Sequence, residues 1–367
     1  MKLLLVIDTL ESGGAQRLFV NLANGLSQYF EIRVLVYNST GNIFHSCNRD
    51  IKIIQIKKTR FKGFKLNILK RIWDEQRKSD MVISYMPSSN IYCAISRLFF
   101  NWDKKLICNE VSINNELESK FKRFITNFSY ILASSVVCNT YKQAKYLNKF
   151  FFLKNKTITI FNGCNEIKYK ERIKKEANKK KLIVVGRIAH PKNGLRFLKA
   201  LKLFHNKYNF LPYVEWAGRV DSSRQENKNL YKQMLIFLKN NNDVNKFFKF
   251  AGEIKDINSF YANSDGLILP SIYEGLSYVI CEAMFNGCPI LATNISDNKF
   301  ILGENSEKGL ICDAFSEKSI FEGIEKLVFL KYPKLIKMTL RARLFADNHF
   351  TVDKMINTYK KLINTIY

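Results

Sequence analysis

Short apolar runs alternate with amphipathic stretches along almost the whole chain, and this alternation restricts the fold more than any other feature. Strand-like runs followed by segments of helical periodicity predict parallel sheets joined by crossover helices. The predicted strands are 2–7, 32–37, 52–56, 81–85, 105–109, 135–138 and 157–161 in the first half, and 182–185, 213–216, 247–250, 266–269, 289–292 and 309–312 in the second.

The length and one change of composition divide the chain. Its 367 residues exceed one ordinary domain. Residues 166–181 hold eight Lys/Arg and three Glu without a strand pattern. We therefore predict an N-terminal domain over 1–165, a basic linker over 166–181 and a C-terminal domain over 182–349. The predicted class is α/β, with two doubly wound, Rossmann-like domains facing each other across a cleft. An amphipathic helix over 350–367 is expected to pack back on the first domain.

Composition excludes several classes of protein. The formal charge of +27 is spread over both halves and favours anionic partners. The eight cysteines form no CxxC pair and the four histidines have no ligand spacing, so a zinc site or a disulfide framework is not expected. No apolar stretch is long enough to span a bilayer, and the first apolar run stops at Asp8. We expect a cytoplasmic protein.

The region around Glu274 and Glu282 carries the strongest chemical signal. A predicted strand stops at Pro270, a short loop carries Glu274, and a helical pattern then places Glu282 in its second turn. A helix start offers unpaired N–H groups and a positive dipole end to an anion. Phosphates held at 275–277 and hydroxyls held by Glu282 would suit a nucleoside diphosphate sugar. A general acid–base pair for glycoside hydrolysis is the alternative, but both glutamates lie on one loop-and-helix unit.

Three further strand ends carry candidate ligand contacts. Arg187 and Lys192 follow the first strand of the second domain and could bind diphosphate oxygens, or could be two surface cations. The segment 252–254 could pair with a base edge or be an ordinary strand end. The two glycines of 13–14 open the first helix, where they could approach a phosphate or simply form a tight turn.

Two segments interleave cations with aromatic residues. They cover 57–73 and 120–124, and both suit contact with anionic lipid or single-stranded nucleic acid. Amphipathic helices with buried apolar faces are an equally good interpretation. No recognisable nucleic-acid module accompanies them.

At these residues the sequence resembles the retaining, nucleotide-sugar-dependent group 1 glycosyltransferases of the GT-B fold. The family's E-x7-E signature is matched by Glu274 and Glu282, its GR…K element by 186–192, and its glycine loop by SGGAQR at 12–17. This loop is close to the version in enzymes that build bacterial surface glycans. Two places depart from the family pattern: Arg219 follows Gly218, and 293–300 lacks the usual Gly/Pro-rich turn and glutamate.

The resemblance implies a role for each matched residue. Arg187 and Lys192 would hold the donor diphosphate and stabilise leaving-group charge, Glu274 would face the donor sugar, and Glu282 would bind the ribose hydroxyls. The other expected donor-binding residues are Gly13, Gly14, Gly186, Gly252, Glu253, Ile254, Gly275, Leu276 and Ser277. The family needs no metal and no cofactor besides its nucleotide-sugar substrate, which agrees with the missing DxD motif.

The resulting prediction is a retaining, metal-independent hexosyltransferase. It would move sugar from a nucleotide-sugar, expected to be a UDP-sugar, to a lipid-linked glycan in lipopolysaccharide O-antigen, capsule or similar polysaccharide synthesis. We expect a peripheral protein on the inner face of the cell membrane that contacts anionic lipid and no nucleic acid. The alternatives are another GT-B nucleotide-sugar enzyme (an epimerase or a phosphorylase-like enzyme), a non-catalytic nucleotide-sugar binding protein, and a nucleic-acid binder.

Overall fold

In a computed structural model of the chain, the described residues are 1–11, 14–39, 43–56, 66–99, 104–110, 120–164 and 175–367. They form a sheet of seven strands and a sheet of six. The seven strands are β1 (Lys2–Thr9), β2 (Glu31–Ser39), β3 (Lys52–Gln55), β4 (Met81–Tyr85), β5 (Lys105–Glu110), β6 (Ser135–Cys138) and β7 (Thr157–Thr159). The six are β8 (Lys181–Val185), β9 (Tyr213–Ala217), β10 (Phe248–Gly252), β11 (Gly266–Leu269), β12 (Ile290–Thr293) and β13 (Leu310–Cys312).

Helices connect these strands. They are α1 (Gly14–Ser27), α2 (Leu66–Gln76), α3 (Pro87–Phe99), α4 (Lys120–Leu132), α5 (Tyr141–Leu147), α6 (Gly194–Tyr208), α7 (Gln225–Asn240), α8 (Asn242–Asn245), α9 (Ile257–Ala262), α10 (Tyr278–Phe285), α11 (Asn298–Leu302), α12 (Glu317–Val328), α13 (Tyr332–His349) and α14 (Val352–Ile366). Among the described residues, none of the helices combines the length and apolar character that crossing a bilayer requires.

Both sheets have doubly wound topology, which confirms the predicted fold class. The first has the order β3-β2-β1-β4-β5-β6-β7 and the second β10-β9-β8-β11-β12-β13. Neighbouring strands pair in parallel, and the middle strands are buried on both faces because helices cover each side of the sheet. Strand order reverses between β1 and β4 and between β8 and β11, where the carboxyl ends of strands leave a crevice for ligands.

The chain divides into two compact units. The first is Met1–Cys164 together with Phe350–Tyr367, and the second is Asn165–His349. Helix α14 belongs to the first unit and packs on α1, where a Cβ at Gly25 would lie 2.4 Å from Ile356 Cδ1. The hydroxyl of Tyr359 donates to Asn109 Oδ1 in the same core. The predicted linker 166–181 falls largely outside the described residues.

Helical periodicity in the sequence predicts helices over 91–100 and 140–150, and the observed bounds of both differ for reasons that lie in their first residues. Pro87 opens α3 four residues before the predicted start at Ile91, because proline is tolerated at the first helical position, where no N–H bond is needed. Thr140 caps α5 rather than belonging to it, since its Oγ1 accepts from the Gln143 N–H at 3.2 Å. The helix predicted to reach Phe150 ends at Leu147, and 151–153 form a 3-10 turn.

Candidate functional site

Three glycines form a row at the carboxyl edge of the second sheet. Gly186 follows β8, Gly218 follows β9, and Gly252 ends β10. Backbone bonds hold the row: the Gly186 N–H donates to Ala217 O at 2.8 Å and the Gly218 N–H to Gly252 O at 2.7 Å. All three have positive φ, between 69° and 143°, a region that favours glycine. The predicted positions Gly186 and Gly252 therefore share one edge.

The closest contact in this row is between Gly218 and Gly186. A Cβ at Gly218 would lie 2.1 Å from the carbonyl oxygen of Gly186, which cannot move aside because it accepts from the Trp216 indole N–H at 2.8 Å. At Gly186 a Cβ would lie 2.9 Å from Lys192 Cε. Only glycine there allows the Lys192 side chain to lie across the backbone.

Lys192 and Glu274 form an ion pair at this edge. Lys192 Nζ donates to Glu274 Oε1, which also accepts from Ser271 Oγ at 2.9 Å. The two side chains are only 17% and 19% exposed, so water screens the pair weakly. The structure thus brings together two residues that lie far apart in the sequence and were assigned to separate motifs.

Asn193 fixes the geometry of the Lys192 loop. It adopts a left-handed conformation with φ 57°, which asparagine tolerates better than most residues. Its buried amide donates to Pro270 O at 2.9 Å and to Ala314 O at 2.8 Å, joining the loops that follow β8, β11 and β13. The sequence analysis missed this role. An asparagine directly before the glycine that opens a helix was the available signal.

Arg187 lies at the same edge but is much more exposed. Its side chain is 63% exposed, and its NH1 is 3.0 Å from Asp221 Oδ2. Burial alone would raise the pKa of Asp221, but hydrogen bonds from Ser223 and the charge of Arg187 outweigh it, and the pKa is lowered. Asp221 therefore stays ionised at neutral pH and holds the guanidinium in place. Nothing in the sequence pattern had indicated this partner.

If Arg187 holds the donor diphosphate, as the family resemblance implies, Arg187→Ala should lower turnover about tenfold, a smaller loss than a buried cation would give, because solvent screens an exposed charge. Initial rates with saturating donor measure this effect. Arg341→Ala, which removes an exposed arginine from α13, is the control and should leave the rate unchanged. Wild-type turnover in Arg187→Ala would remove this residue from the diphosphate site.

Ser277 occupies the start of α10. It is 2% exposed, and in the described part of the chain its Oγ has no hydrogen-bond partner. An unpaired buried hydroxyl is costly and points to a ligand that would satisfy it. Gly275 and Leu276 precede it in the loop, so this hydroxyl and the backbone of the helix start lie together.

Glu282 lies within α10, beyond its first turn. Its Oε2 accepts from the Tyr261 hydroxyl at 2.8 Å, and Tyr261 is fully buried on α9. Because helix side chains tilt toward the N-terminus, Glu282 is directed to the helix start. Tyr261 was not identified from the sequence, since a buried tyrosine carries no motif.

The remaining predicted site residues are less closely associated with the Lys192–Glu274 pair. Glu253 is 68% exposed, and its carboxylate is 3.9 Å from Arg219 Nε rather than at the Lys192–Glu274 pair. Gly14 begins α1 in the first unit, and among the described residues nothing lies within 4 Å of a Cβ built on it. Gly13 lies outside the described residues. Among the described residues, no group of three His, Cys, Asp or Glu side chains could hold a metal ion.

The chain is similar in sequence to proteins of known family. The model of the glycosyl transferases group 1 family matches residues 165–343, which include all the residues of the second sheet's edge. The chain carries a group 1 glycosyltransferase domain over these residues. It is similar to the undecaprenol-linked glycan α-1,4-N-acetyl-D-galactosaminyltransferase of Campylobacter jejuni, with 26% identity over 85% of each protein. It is also 24% identical to the capsular polysaccharide glycosyltransferase CapH of Staphylococcus aureus, over 81% of this chain and 82% of CapH.

Solved glycosyltransferases share the fold of this chain. Anabaena HepE, solved in complex with UDP, aligns over 100% of both chains with a TM-score of 0.83 and 14% identity. HepE with UDP and glucose aligns over 99% of both chains with the same score. These neighbours have the GT-B fold.

Proposed function

We propose that this glycosyltransferase moves a sugar from a UDP-sugar to a lipid-linked glycan acceptor, with retention of configuration, during synthesis of a surface polysaccharide such as O-antigen or capsule. The Campylobacter relative is named for an undecaprenol-linked glycan, and an Escherichia coli relative, 24% identical over 56% of this chain, is named for UDP-Gal and a diphosphoundecaprenol acceptor. HepE was solved with UDP.

The observation that carries this proposal is the Lys192–Glu274 pair in the same loop system as the unpaired Ser277 hydroxyl. Glu274 and Ser277 are three residues apart, so the carboxylate that holds Lys192, a buried hydroxyl and a helix start belong to one short segment. A diphosphate needs donors of this kind. Glu282 supplies an acceptor for ribose hydroxyls from the next turn.

The ion pair suggests how donor binding would change the site. An arriving diphosphate competes with Glu274 for Lys192, so Lys192 would turn from the carboxylate to the phosphate oxygens while Glu274 remains beside the sugar. Such preorganised charge stabilises negative charge as it develops. No metal ion is required for this role, because Lys192 and Arg187 would both neutralise the departing diphosphate.

The transfer itself balances without a further reactant. The acceptor hydroxyl oxygen forms a bond to the anomeric carbon, the bond from that carbon to the diphosphate oxygen breaks, and the hydroxyl proton leaves with the diphosphate. Positioning the acceptor hydroxyl beside the anomeric carbon supplies the rest of the acceleration. With a lipid-linked acceptor, we place the enzyme on the inner face of the cell membrane.

Glu282→Gln tests the nucleotide half of this proposal. We expect UDP to bind about tenfold more weakly, since a charge-assisted hydrogen bond contributes about 1.5–3 kcal/mol. Titration calorimetry should also show that the wild type discriminates against 2′-deoxy-UDP or 3′-deoxy-UDP and that the variant does not. Glu322→Gln on α12 is the control. A variant that keeps the full discrimination would contradict the ribose assignment.

A further inference from the structure

Helix α4 exposes three large apolar side chains along one side, which an ordinary surface helix would turn to the core. Phe124, Phe128 and Ile131 follow one another at helical spacing on the outer side, and all are exposed. Thr126 and Ser129 are buried on the opposite side. Water does not favour this arrangement, so the outer side of α4 suits an apolar partner.

A second group of exposed aromatic side chains lies next to this helix. The 3-10 turn Phe151–Leu153 contacts α4, and Leu153 belongs to the same buried cluster as Tyr130 of α4. Phe151 and Phe152 are nevertheless 85% and 65% exposed. Lys156 Nζ donates to Ile131 O at 2.9 Å and so ties the segment after the turn to the end of the helix. The turn and the exposed side chains of α4 (Phe124, Phe128 and Ile131, here called the α4 stripe) therefore form one continuous surface.

The charge of this part of the chain has one sign only. Residues 120–164 include eight Lys/Arg and no Asp or Glu. Lys149 and Lys154 directly flank the aromatic turn, and both are exposed. Cations near an anionic bilayer strengthen binding, and aromatic side chains insert at the boundary of head groups and acyl chains.

We propose that the α4 stripe and the aromatic turn (Phe124, Phe128, Ile131, Phe151 and Phe152) are the surface by which this enzyme binds an anionic membrane. A second copy of the chain is a poorer occupant, because residues 120–164 of both copies carry positive charges only and would repel each other. Single-stranded nucleic acid is also less suitable, since it is bound in grooves and the α4 stripe lies on the outer side of a helix. The purpose of this surface rests on the proposed lipid-linked acceptor, whereas the observations that support the surface do not.

Vesicle co-sedimentation tests this surface with the full chain. Phe151→Ser/Phe152→Ser and, separately, Phe124→Ser/Phe128→Ser should each weaken binding to phosphatidylcholine–phosphatidylglycerol vesicles about tenfold or more. Lys149→Gln/Lys154→Gln should reduce binding to these vesicles but not the weak binding to phosphatidylcholine alone. Leu344→Ser is the control, since it removes a 63% exposed apolar side chain from α13 in the second unit.

Two results would overturn the proposal. One is wild-type binding by both phenylalanine double variants, and the other is a wild-type protein that binds a single-stranded oligonucleotide but no anionic vesicle. UDP titration of every variant separates failure of the membrane surface from failure of the donor site. Intact UDP binding with lost vesicle binding supports the membrane surface, whereas vesicle binding without UDP binding would contradict the proposed function alone.

Discussion

Replacing Lys192 by alanine is expected to lower kcat by about a hundredfold to a thousandfold, which corresponds to about 2.7–4 kcal/mol of transition-state stabilisation. The Lys192 side chain is only 17% exposed, against 63% for Arg187, and its partner Glu274 stays behind without its counter-charge. The variant therefore loses a positive charge and leaves a negative one beside the departing diphosphate.

The control for this experiment is Lys199→Ala on α6, whose lysine pairs with Glu317 at 3.0 Å but is 46% exposed. It should keep wild-type turnover, since exposed ion pairs contribute about 0–1 kcal/mol. Lys192→Ala/Glu274→Ala should not be additive, because the two residues contact each other. Unchanged kcat in Lys192→Ala, with the protein folded, would contradict the assignment of Lys192 to the diphosphate.

Replacing Glu75 by alanine should destabilise the first unit by about 3–5 kcal/mol. Glu75 on α2 pairs with Arg33 on β2, and both residues are buried, so the variant leaves an uncompensated guanidinium inside the protein. Chemical denaturation followed by tryptophan fluorescence measures the loss, with Trp73 and Trp102 belonging to the first unit and Trp216 to the second.

The carboxylate of Glu75 also makes the stability of the first unit depend on pH, and the sign of this dependence is known. Burial by itself would raise the pKa of Glu75, but the hydrogen bond from Lys78 and the charge of Arg33 outweigh it, and the pKa is lowered. The stabilisation is therefore complete above the ordinary glutamate pKa and is lost as the pH falls through the lowered value. Glu75→Ala should flatten the acid limb of the stability curve. Glu317→Ala, from an exposed pair, should not, and an equally steep limb in Glu75→Ala would contradict this account.

The sequence was sufficient to predict every strand of the two sheets, because buried parallel strands are short apolar runs bounded by turns. It was also sufficient to assign Arg187, Lys192, Glu274 and Glu282 to strand ends and a helix start. Pairings could not be read from it, since Lys192–Glu274 and Arg187–Asp221 join residues 82 and 34 positions apart. The exposure of the α4 stripe could not be predicted either, although 120–124 had been singled out, because helical spacing alone does not say which side is buried.

The most direct test of the central claim is a transfer assay with a labelled UDP-sugar, such as UDP-N-acetylgalactosamine, and an undecaprenyl-diphosphate-linked glycan. We predict that the label appears in the lipid fraction and that NMR of the product shows a new linkage with the anomeric configuration of the donor. Label recovered only as free sugar or as an epimerised nucleotide-sugar, or a product with inverted configuration, would contradict the account.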